Sequence, residues 1–260
     1  MRKKSLAIAV ALLGALVFAS VAFGAVVTTL NVTTTPNKAS TKKKLTPTRL
    51  GIDISTADPA LDQPPPLRKV VIRFNKTGTF NGKLFPKCKF EKLRVRGPKA
   101  CPKGSKVGLG TAQASAKPII DLVNAKVTIF NGELRGGVPT VILYNVPDIS
   151  SPVTVFGTVK KVSPTSCADG AGQCDYVLTF DVPEIPTLPN APPASVLNVK
   201  TKTLNVFVKK KKRINGRKRI VKIPYIGNPK VCTGKWVADA TFSFSDGQTS
   251  TNSASATCRK

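Results

Sequence analysis

The six cysteines are the residues whose types and spacing point most directly to chemistry. They fall in three local pairs, which are Cys88 with Cys101, Cys167 with Cys174, and Cys232 with Cys258. Six cysteines permit fifteen pairings, and we predict the sequential one because each pair brackets a segment that should fold back on itself. The alternative is a metal site. Because the sequence has no histidine and no CxxC spacing, we favour three disulfides.

Carboxylates are few, and three sets of them lie close together in the sequence: Asp181 with Glu184, Asp169 with Asp175, and Asp53 with Asp58. A correctly spaced acid pair can hydrolyse a glycosidic bond, so Asp181 and Glu184 define a remote alternative function as a polysaccharide hydrolase. Asp169 and Asp175 could bind calcium through oxygen ligands. We interpret the former pair as a solvated strand exit and the latter as an ordinary clamped turn, because two carboxylates are too few for tight calcium binding.

Nucleophilic catalysis has little support in this sequence. The absence of histidine excludes Ser-His-Asp and Cys-His arrangements. Ser105 beside Lys106 is a candidate for serine–lysine chemistry, but the glycine and proline around it are typical of a structural turn. No glycine-rich phosphate motif occurs. We therefore predict a protein that is not an enzyme and that has no catalytic residue, no cofactor and no metal ion.

A basic segment is the strongest functional signal. Eight of the eleven residues from 209 to 219 are basic, namely Lys209, Lys210, Lys211, Lys212, Arg213, Arg217, Lys218 and Arg219. Asn215-Gly216 at its centre favours a tight hairpin turn, which would bring the charges of both strands to one tip. We predict that this tip binds polyanions; the alternative is a solvated tip that only aids solubility. Interleaved aromatic residues are missing, which disfavours base stacking and sequence-specific nucleic-acid binding.

The overall charge supports the same class of partner. The chain has 41 Lys and Arg against 13 Asp and Glu, a formal net charge of +28. Such a charge attracts polyanions and repels copies of the same protein. Outside a cell, the partners that we expect are anionic envelope polymers and acidic polysaccharide.

The N-terminus is typical of an export signal. A basic MRKK start precedes an apolar stretch, and Ala22 and Gly24 supply small residues for cleavage before Ala25. We expect residues 1–24 to be a cleaved signal peptide; an uncleaved membrane anchor is the alternative. The sequence has no second apolar stretch of spanning length and no apolar C-terminal tail. We therefore expect a secreted or loosely envelope-associated protein.

The elements that must position these residues are predicted to be strands. Val, Ile and Thr are frequent, Pro (21) and Gly (19) interrupt short apolar runs, and this pattern favours an all-β fold. We predict one domain over 25–260, a jelly-roll-like or Greek-key β-sandwich of about eleven or twelve strands. Its predicted non-strand parts are a basic loop at 36–48, proline-rich segments at 58–66 and 183–193, and a short helix or turn near 88–97.

Two hairpins complete the prediction. We expect residues 196–213 and 217–226 to form one long hairpin around Asn215-Gly216. A second should turn at Asp246-Gly247, closed by the Cys232–Cys258 pair. Trp236 has the same parity as Phe242 and Phe244, so we predict that it lies in the core rather than serving as a sugar-stacking platform.

Four strings, GPKACPKGSKVGLGTA, LVNAKVTIFNG, NPKVCTGKW and FSFSDGQTSTNSASATC, resemble a family of uncharacterised secreted proteins of high-GC soil actinobacteria. The resemblance covers most of the chain after residue 24. It implies export and a β-rich fold, and it implies no activity, ligand or catalytic residue. A binding protein for anionic envelope polymers is therefore the first functional hypothesis. A structural module that associates with copies or partners is the alternative.

Overall fold

The computed structural model of the chain describes residues 25–167, 173–185, 192–214 and 216–260. It confirms the all-β prediction, with fifteen strands and one short α-helix. In chain order the elements are β1 (Val27–Thr35), β2 (Arg49–Ala57), β3 (Leu67–Asn75), β4 (Thr79–Phe80), α1 (Phe90–Arg96), β5 (Lys106–Ala116), β6 (Ile120–Asn131), β7 (Thr140–Pro147), β8 (Val153–Ser166), β9 (Gln173–Asp181), β10 (Ser195–Thr203), β11 (Phe207–Ile214), β12 (Arg217–Pro224), β13 (Ile226–Gly227), β14 (Lys235–Phe244) and β15 (Thr249–Thr257).

Eleven of these strands form one antiparallel sheet. Its order is β1-β2-β10-β5-β6-β7-β8-β9-β3-β14-β15. The remaining strands make two small pairs, β11 with β12 and β4 with β13. The run from β5 to β9 is a meander, whereas β3 and β10 are inserted among strands distant in sequence. Long connections must therefore cross from one part of the sheet to another, as in Greek-key folds.

The large sheet curls until its first and last strands lie side by side. Side chains of β15 and its turn join the two: Gln248 Oε1 accepts from the Val26 amide at 3.3 Å, and Asn252 Nδ2 donates to the Thr28 carbonyl at 2.6 Å. The Thr28 and Ser250 hydroxyls are 2.9 Å apart. Because these bonds use backbone groups of β1, they cover an edge that would otherwise be open to pairing.

Alternation along each strand separates the inner face of the curled sheet from the outer face. On β6, alternate residues line the interior or lie buried against it: Val123, Ala125, Val127 and Ile129. Strands far apart in the sheet meet in one core, which joins Ile54 of β2 and Val196 of β10 to Ile72 of β3 and Phe242 of β14. The two halves of the sheet thus face each other across a shared interior, as sandwich layers do.

The register defines two ends of this body. The upper end, at which β6 ends at Asn131, carries α1, the β11–β12 hairpin and the three disulfides. The lower end, at which β7 ends at Pro147, is crossed by proline-rich chain. Gln63 in the segment 58–66 accepts from Ser115 Oγ at 3.0 Å and from the Lys117 amide at 2.9 Å. The proline-rich segment predicted at 183–193 lies in the crossover that connects β9 to β10, and residues 186–191 lie outside the described residues.

The short helix or turn predicted near 88–97 is a helix, α1, which ends where Gly97 takes a φ of 68°. Leu93 is fully buried there against Cys88, Phe130 and Ile142. The long strand predicted over 196–213 is wrong. The strand is interrupted at residues 204–206. β10 pairs with β2 and β5 in the large sheet, and only β11 continues into the basic hairpin.

The predicted signal peptide, residues 1–24, lies outside the described residues. In the part of the chain that the structure does describe, no helix has both the length and the apolar character needed to span a membrane.

Candidate polyanion-binding hairpin and interior cavity

The basic segment forms a separate two-stranded ribbon. β11 and β12 pair with each other from Phe207 opposite Pro224 to Ile214 opposite Arg217. At the root, Val208 packs on a core cluster at the upper end of the body, and Ile223 is buried. Farther out, side chains on both faces are exposed, including Ile220 at 66%. The ribbon therefore projects from the body into solvent.

Seven of the eight predicted cations are exposed on this ribbon, namely Lys209, Lys210, Lys211, Arg213, Arg217, Lys218 and Arg219. The backbone of Lys212 pairs opposite Arg219, while its side chain and Asn215 lie outside the described residues. Gly216 has a φ of 75°, the left-handed conformation that a tight Asn-Gly turn requires. The structure thus brings these seven cations together along one ribbon.

The cross-strand register places like charges opposite each other. Lys209 lies opposite Lys222, and Arg213 lies opposite Lys218. Directly opposed residues share one face of a ribbon, so one face carries Lys209, Lys211 and Arg213 in one row, with Lys218 and Lys222 in the other. Lys222 is exposed and was not among the predicted cations. Its alternation with Ile223 is the sequence signal that could have identified it.

Acidic residues do not neutralise this face within the described part of the chain. Six ion pairs are present among the described residues, and all of them lie outside the ribbon, for example Lys200 with Asp53 at 3.6 Å and Arg68 with Glu184 at 3.7 Å. Like charges directly opposite one another destabilise a β-ribbon. The ribbon therefore offers a charged surface on which bound anions would relieve an existing repulsion.

Tyr225, the residue after β12, anchors the ribbon to the body. It is 2% exposed, and its phenol donates to Asn131 Oδ1 at 3.3 Å. Phe80 and Phe85 contact its ring edge-on, with centroid distances of 5.0 and 5.1 Å. Burial raises the pKa of Tyr225 well above its usual range, so the phenol stays protonated. This aromatic group closes the upper end of the body beneath the ribbon.

A large apolar cavity lies inside the curled sheet. Its volume is about 520 Å³, within the range of about 300–1,000 Å³ that is typical of small-molecule sites. Inward side chains from most strands line it, mainly Val, Ile, Leu, Phe and Ala. No described lining residue carries a formal charge. The cavity was not predicted from the sequence, because the alternation of apolar residues is the same whether the enclosed space is filled or open.

The upper end of the cavity contains polar atoms without partners. Asn228 is 1% exposed, and its Nδ2 donates to the carbonyls of Pro36 at 2.7 Å and Lys38 at 2.8 Å. Its Oδ1 is buried without a hydrogen-bond partner, as is Oγ1 of Thr34. Both residues line the cavity. Because a buried polar atom without a partner is costly, these two atoms mark a place where a ligand or water would be stabilised.

The lower end of the cavity approaches the surface at the β7–β8 connection. Ile149 lies in this connection and lines the cavity, yet it is 58% exposed. Ile185 and Ala194 also line the cavity, and the Ala194 amide donates to the Ile185 carbonyl at 3.4 Å. The cavity therefore has an apolar mouth at one end and polar atoms at the other.

The residues that could support catalysis have structural roles or separate surroundings. Ser105 is fully buried, and its hydroxyl donates to the Pro102 carbonyl at 2.7 Å. Glu184 pairs with Arg68, and Asp181 is exposed at the end of β9. Asp53 accepts from Asn198 Nδ2 at 3.0 Å. Ser105 is therefore committed to the turn that the sequence predicts, and the described residues that line the cavity include no acid pair.

The carboxylates considered for calcium, Asp169 and Asp175, are only partly described, because Asp169 lies outside the described residues. Asp175 is 3% exposed and pairs with Lys161 at 3.6 Å. The Asp58 side chain accepts from the Ala60 amide at 2.9 Å, which fits a local turn in the proline-rich segment. A lysine that pairs with the Asp175 carboxylate competes with any cation for it.

The three predicted cysteine pairs are confirmed as disulfides, with Cα–Cα distances of 4.8 Å for Cys88–Cys101, 5.4 Å for Cys167–Cys174 and 5.8 Å for Cys232–Cys258. Asp239 lies near the second bridge, and together the three residues have the spacing of a metal-ligand set. Both sulfurs are oxidised, however, and Arg73 Nε donates to Asp239 Oδ1 at 2.6 Å. This cluster is therefore a structural one.

Trp236 is a core residue, as predicted. It is 6% exposed, packs beside the Cys232–Cys258 bridge, and donates from its indole nitrogen to the Val231 carbonyl at 2.8 Å.

Comparison of the whole chain with known proteins finds no matching family model, no similar curated protein and no similar solved structure.

Proposed function

We propose that this chain is an exported, non-enzymatic protein that binds anionic polymers outside the cell through the projecting basic ribbon. The observation that carries the proposal is the ladder register, in which Lys209 opposes Lys222 and Arg213 opposes Lys218. A ribbon built only for solubility would gain nothing from opposed like charges, which cost stability. An anion bound between the rows would turn that cost into a favourable interaction.

The geometry favours a linear polyanion over a single small anion. Alternate residues on one strand point to the same face, so Lys209, Lys211 and Arg213 follow one another at intervals of roughly 6–7 Å. Lys218 and Lys222 run alongside in the second row, about 5 Å away. Two parallel rows of cations match the repeated charges of a polymer chain. Counterion release from that polymer would supply much of the binding free energy.

Export supports the choice of polymer. Three disulfides fit an oxidising compartment, and the apolar N-terminal stretch that follows MRKK is typical of a signal peptide. In that setting, the abundant polyanions are envelope polymers and acidic polysaccharides. Neither the ribbon nor the cavity needs a catalytic group for such a role.

Two triple variants with the same net charge test the proposal. One removes a ribbon row (Lys209→Gln, Lys211→Gln and Arg213→Gln), and the other removes three exposed lysines of the body (Lys126→Gln, Lys160→Gln and Lys202→Gln). Binding to poly(glycerol phosphate), hyaluronate and DNA is measured at several salt concentrations, with dextran as a neutral control. We expect the ribbon triple alone to weaken binding strongly. The slope of log K against log salt concentration should become shallower by about 0.7 for each lost contact with a single-stranded polyanion.

Equal losses in both triples would mean that binding follows net charge alone, and the ribbon would have no specific role. Unchanged binding in the ribbon triple would refute the proposal outright. Preference for one polymer that survives moderate salt would identify the class of natural partner.

A further inference from the structure

We infer that the interior cavity is a binding site for a neutral lipid with a hydroxyl group at one end of an extended hydrocarbon chain. This inference is independent of the ribbon and of polyanion binding. It rests on three features of the cavity, which are its apolar lining, its elongated shape with an apolar mouth, and the unpaired polar atoms at its upper end.

The lining selects against charge. The protein carries +28 overall, yet no described residue that lines the cavity is charged. An ionised carboxylate or phosphate inside would lose its hydration and find no counter-charge, which is costly. A hydrocarbon chain would instead bury apolar surface against Val, Ile, Leu and Phe side chains, which is favourable. The cavity therefore favours neutral and largely apolar ligands.

The dimensions suit an extended chain. Ile129 and Val123 lie on the inner face of β6 and both line the cavity. A strand advances about 3.3 Å per residue, so the cavity extends roughly 20 Å along β6. At its lower end, the exposed Ile149 provides an apolar approach from solvent. A narrow, elongated ligand can enter there and fill the cavity along the strand direction.

The upper end specifies the head group. Asn228 Nδ2 is committed to two backbone carbonyls, which fixes the side-chain amide so that Oδ1 remains a free acceptor. Thr34 lies two residues before Pro36, the carbonyl of which holds that amide, and Thr34 Oγ1 also has no partner. At this end of the cavity, Asn228 Oδ1 is an acceptor for a ligand hydroxyl, and Thr34 Oγ1 is a possible donor to it. A carboxylate cannot donate, so it would leave Asn228 Oδ1 unpaired.

Three probes with the same chain and different ends test the inference. 1-Dodecanol, dodecanoate at pH 8 and dodecane are delivered from cyclodextrin to the disulfide-bonded protein, and binding is measured by displacement of an apolar fluorescent dye. We expect dodecanol to bind about three- to tenfold more tightly than dodecane, the worth of one net hydrogen bond. Dodecanoate should bind more weakly than both.

Matched variants separate the cavity from the surface. Ala125→Phe fills the lower part of the cavity, whereas Lys126→Phe places the same ring on the outer face of the same strand. Thr34→Val removes the unpaired hydroxyl and keeps the shape of the side chain. Thr33→Val makes the same substitution on the exposed side of β1. We expect Ala125→Phe to abolish dodecanol binding and Lys126→Phe to preserve it. Thr34→Val alone should reduce the advantage of dodecanol over dodecane.

Several results would overturn the inference. They are no binding of any probe, dodecanol binding that survives Ala125→Phe, or dodecanoate binding as tight as that of dodecanol. Equal affinity for dodecanol and dodecane would also overturn it, because Asn228 and Thr34 would then have no part in recognition. Polyanion binding in the Ala125→Phe variant serves as a folding control and reports on the ribbon separately.

Discussion

The Tyr225 phenol donates a hydrogen bond to Asn131 Oδ1 at 3.3 Å, and this bond ties the root of the basic ribbon to the end of β6. Asn131 Nδ2 in turn donates to the carbonyls of Gly82 and Pro86, both at 3.0 Å. One buried network therefore holds the projecting ribbon, the 3₁₀ turn at 82–84 and the upper end of the large sheet in a single arrangement.

Replacing the phenol tests this anchor. Tyr225→Phe keeps the ring that packs on Phe80 and Phe85, but it leaves Asn131 Oδ1 without its donor. A buried polar group that loses its partner costs about 1–3 kcal/mol, so we expect a loss of that size in the free energy of unfolding. Denaturant unfolding is the measurement, and Tyr176→Phe, at a less buried tyrosine, is the control. An unchanged free energy of unfolding in Tyr225→Phe would contradict the anchor.

The raised pKa of Tyr225 predicts a loss of stability in alkali. A phenol in the unfolded chain ionises near pH 10, whereas burial keeps the folded phenol protonated. Above about pH 10 the unfolded state therefore binds fewer protons, and the free energy of unfolding falls as pH rises. The limiting slope for one group is about 1.4 kcal/mol per pH unit. Tyr225→Phe should lose less stability than the natural chain between about pH 9.5 and about pH 11; parallel curves would show that Tyr225 does not contribute.

The opposed charges of the ribbon predict that one substitution stabilises it. Lys218→Glu converts the Arg213–Lys218 pair from repulsive to attractive. We expect the ribbon to gain about 0.2–1 kcal/mol at low salt, and the gain to shrink as salt screens the charges. Hydrogen exchange of the β11 and β12 amides measures this locally, with Lys218→Gln as the uncharged control. Faster exchange in Lys218→Glu would mean that the opposed cations do not repel in the folded protein.

The disulfides should differ in their contributions according to the lengths of the loops they close. The sequence separations are 7 for Cys167–Cys174, 13 for Cys88–Cys101 and 26 for Cys232–Cys258. Chain-entropy arithmetic gives about 2.4, about 2.9 and about 3.5 kcal/mol in that order. Paired Cys→Ala variants, compared by denaturant unfolding, should lose stability in this order. The opposite order would show that native contacts around each bridge outweigh loop closure.

Close approach of two strands predicts that Gly110 accepts no side chain. A Cβ at this position would collide with the Lys200 carbonyl of β10, which is backbone and cannot turn away. Gly110→Ala should therefore force β5 from β10 and cost about 1–3 kcal/mol. Thr111→Ala, at the next position on the same strand, provides the control in unfolding experiments. A fully stable Gly110→Ala protein would show that the two strands can separate without loss.

Features that depend on neighbouring residues were predictable from the sequence. The three disulfides, the turn in front of β5, the helix at α1 and the core position of Trp236 all follow from short spacings, turn residues and strand alternation. Basic residues around Asn215-Gly216 likewise predicted the ribbon, because a tight turn brings adjacent strands together.

Features that depend on distant residues were decided only by the tertiary structure. The sheet closes where Thr28 meets Ser250, which are 222 residues apart in the chain, and no local pattern specifies that meeting. β10 is not part of the predicted hairpin, because it pairs with β2 and β5 in the large sheet. The cavity is the volume left when inward side chains from both halves of the sheet meet. Asn228 reaches the polar end only because the fold brings its side chain to the Pro36 carbonyl, 192 residues away in the chain.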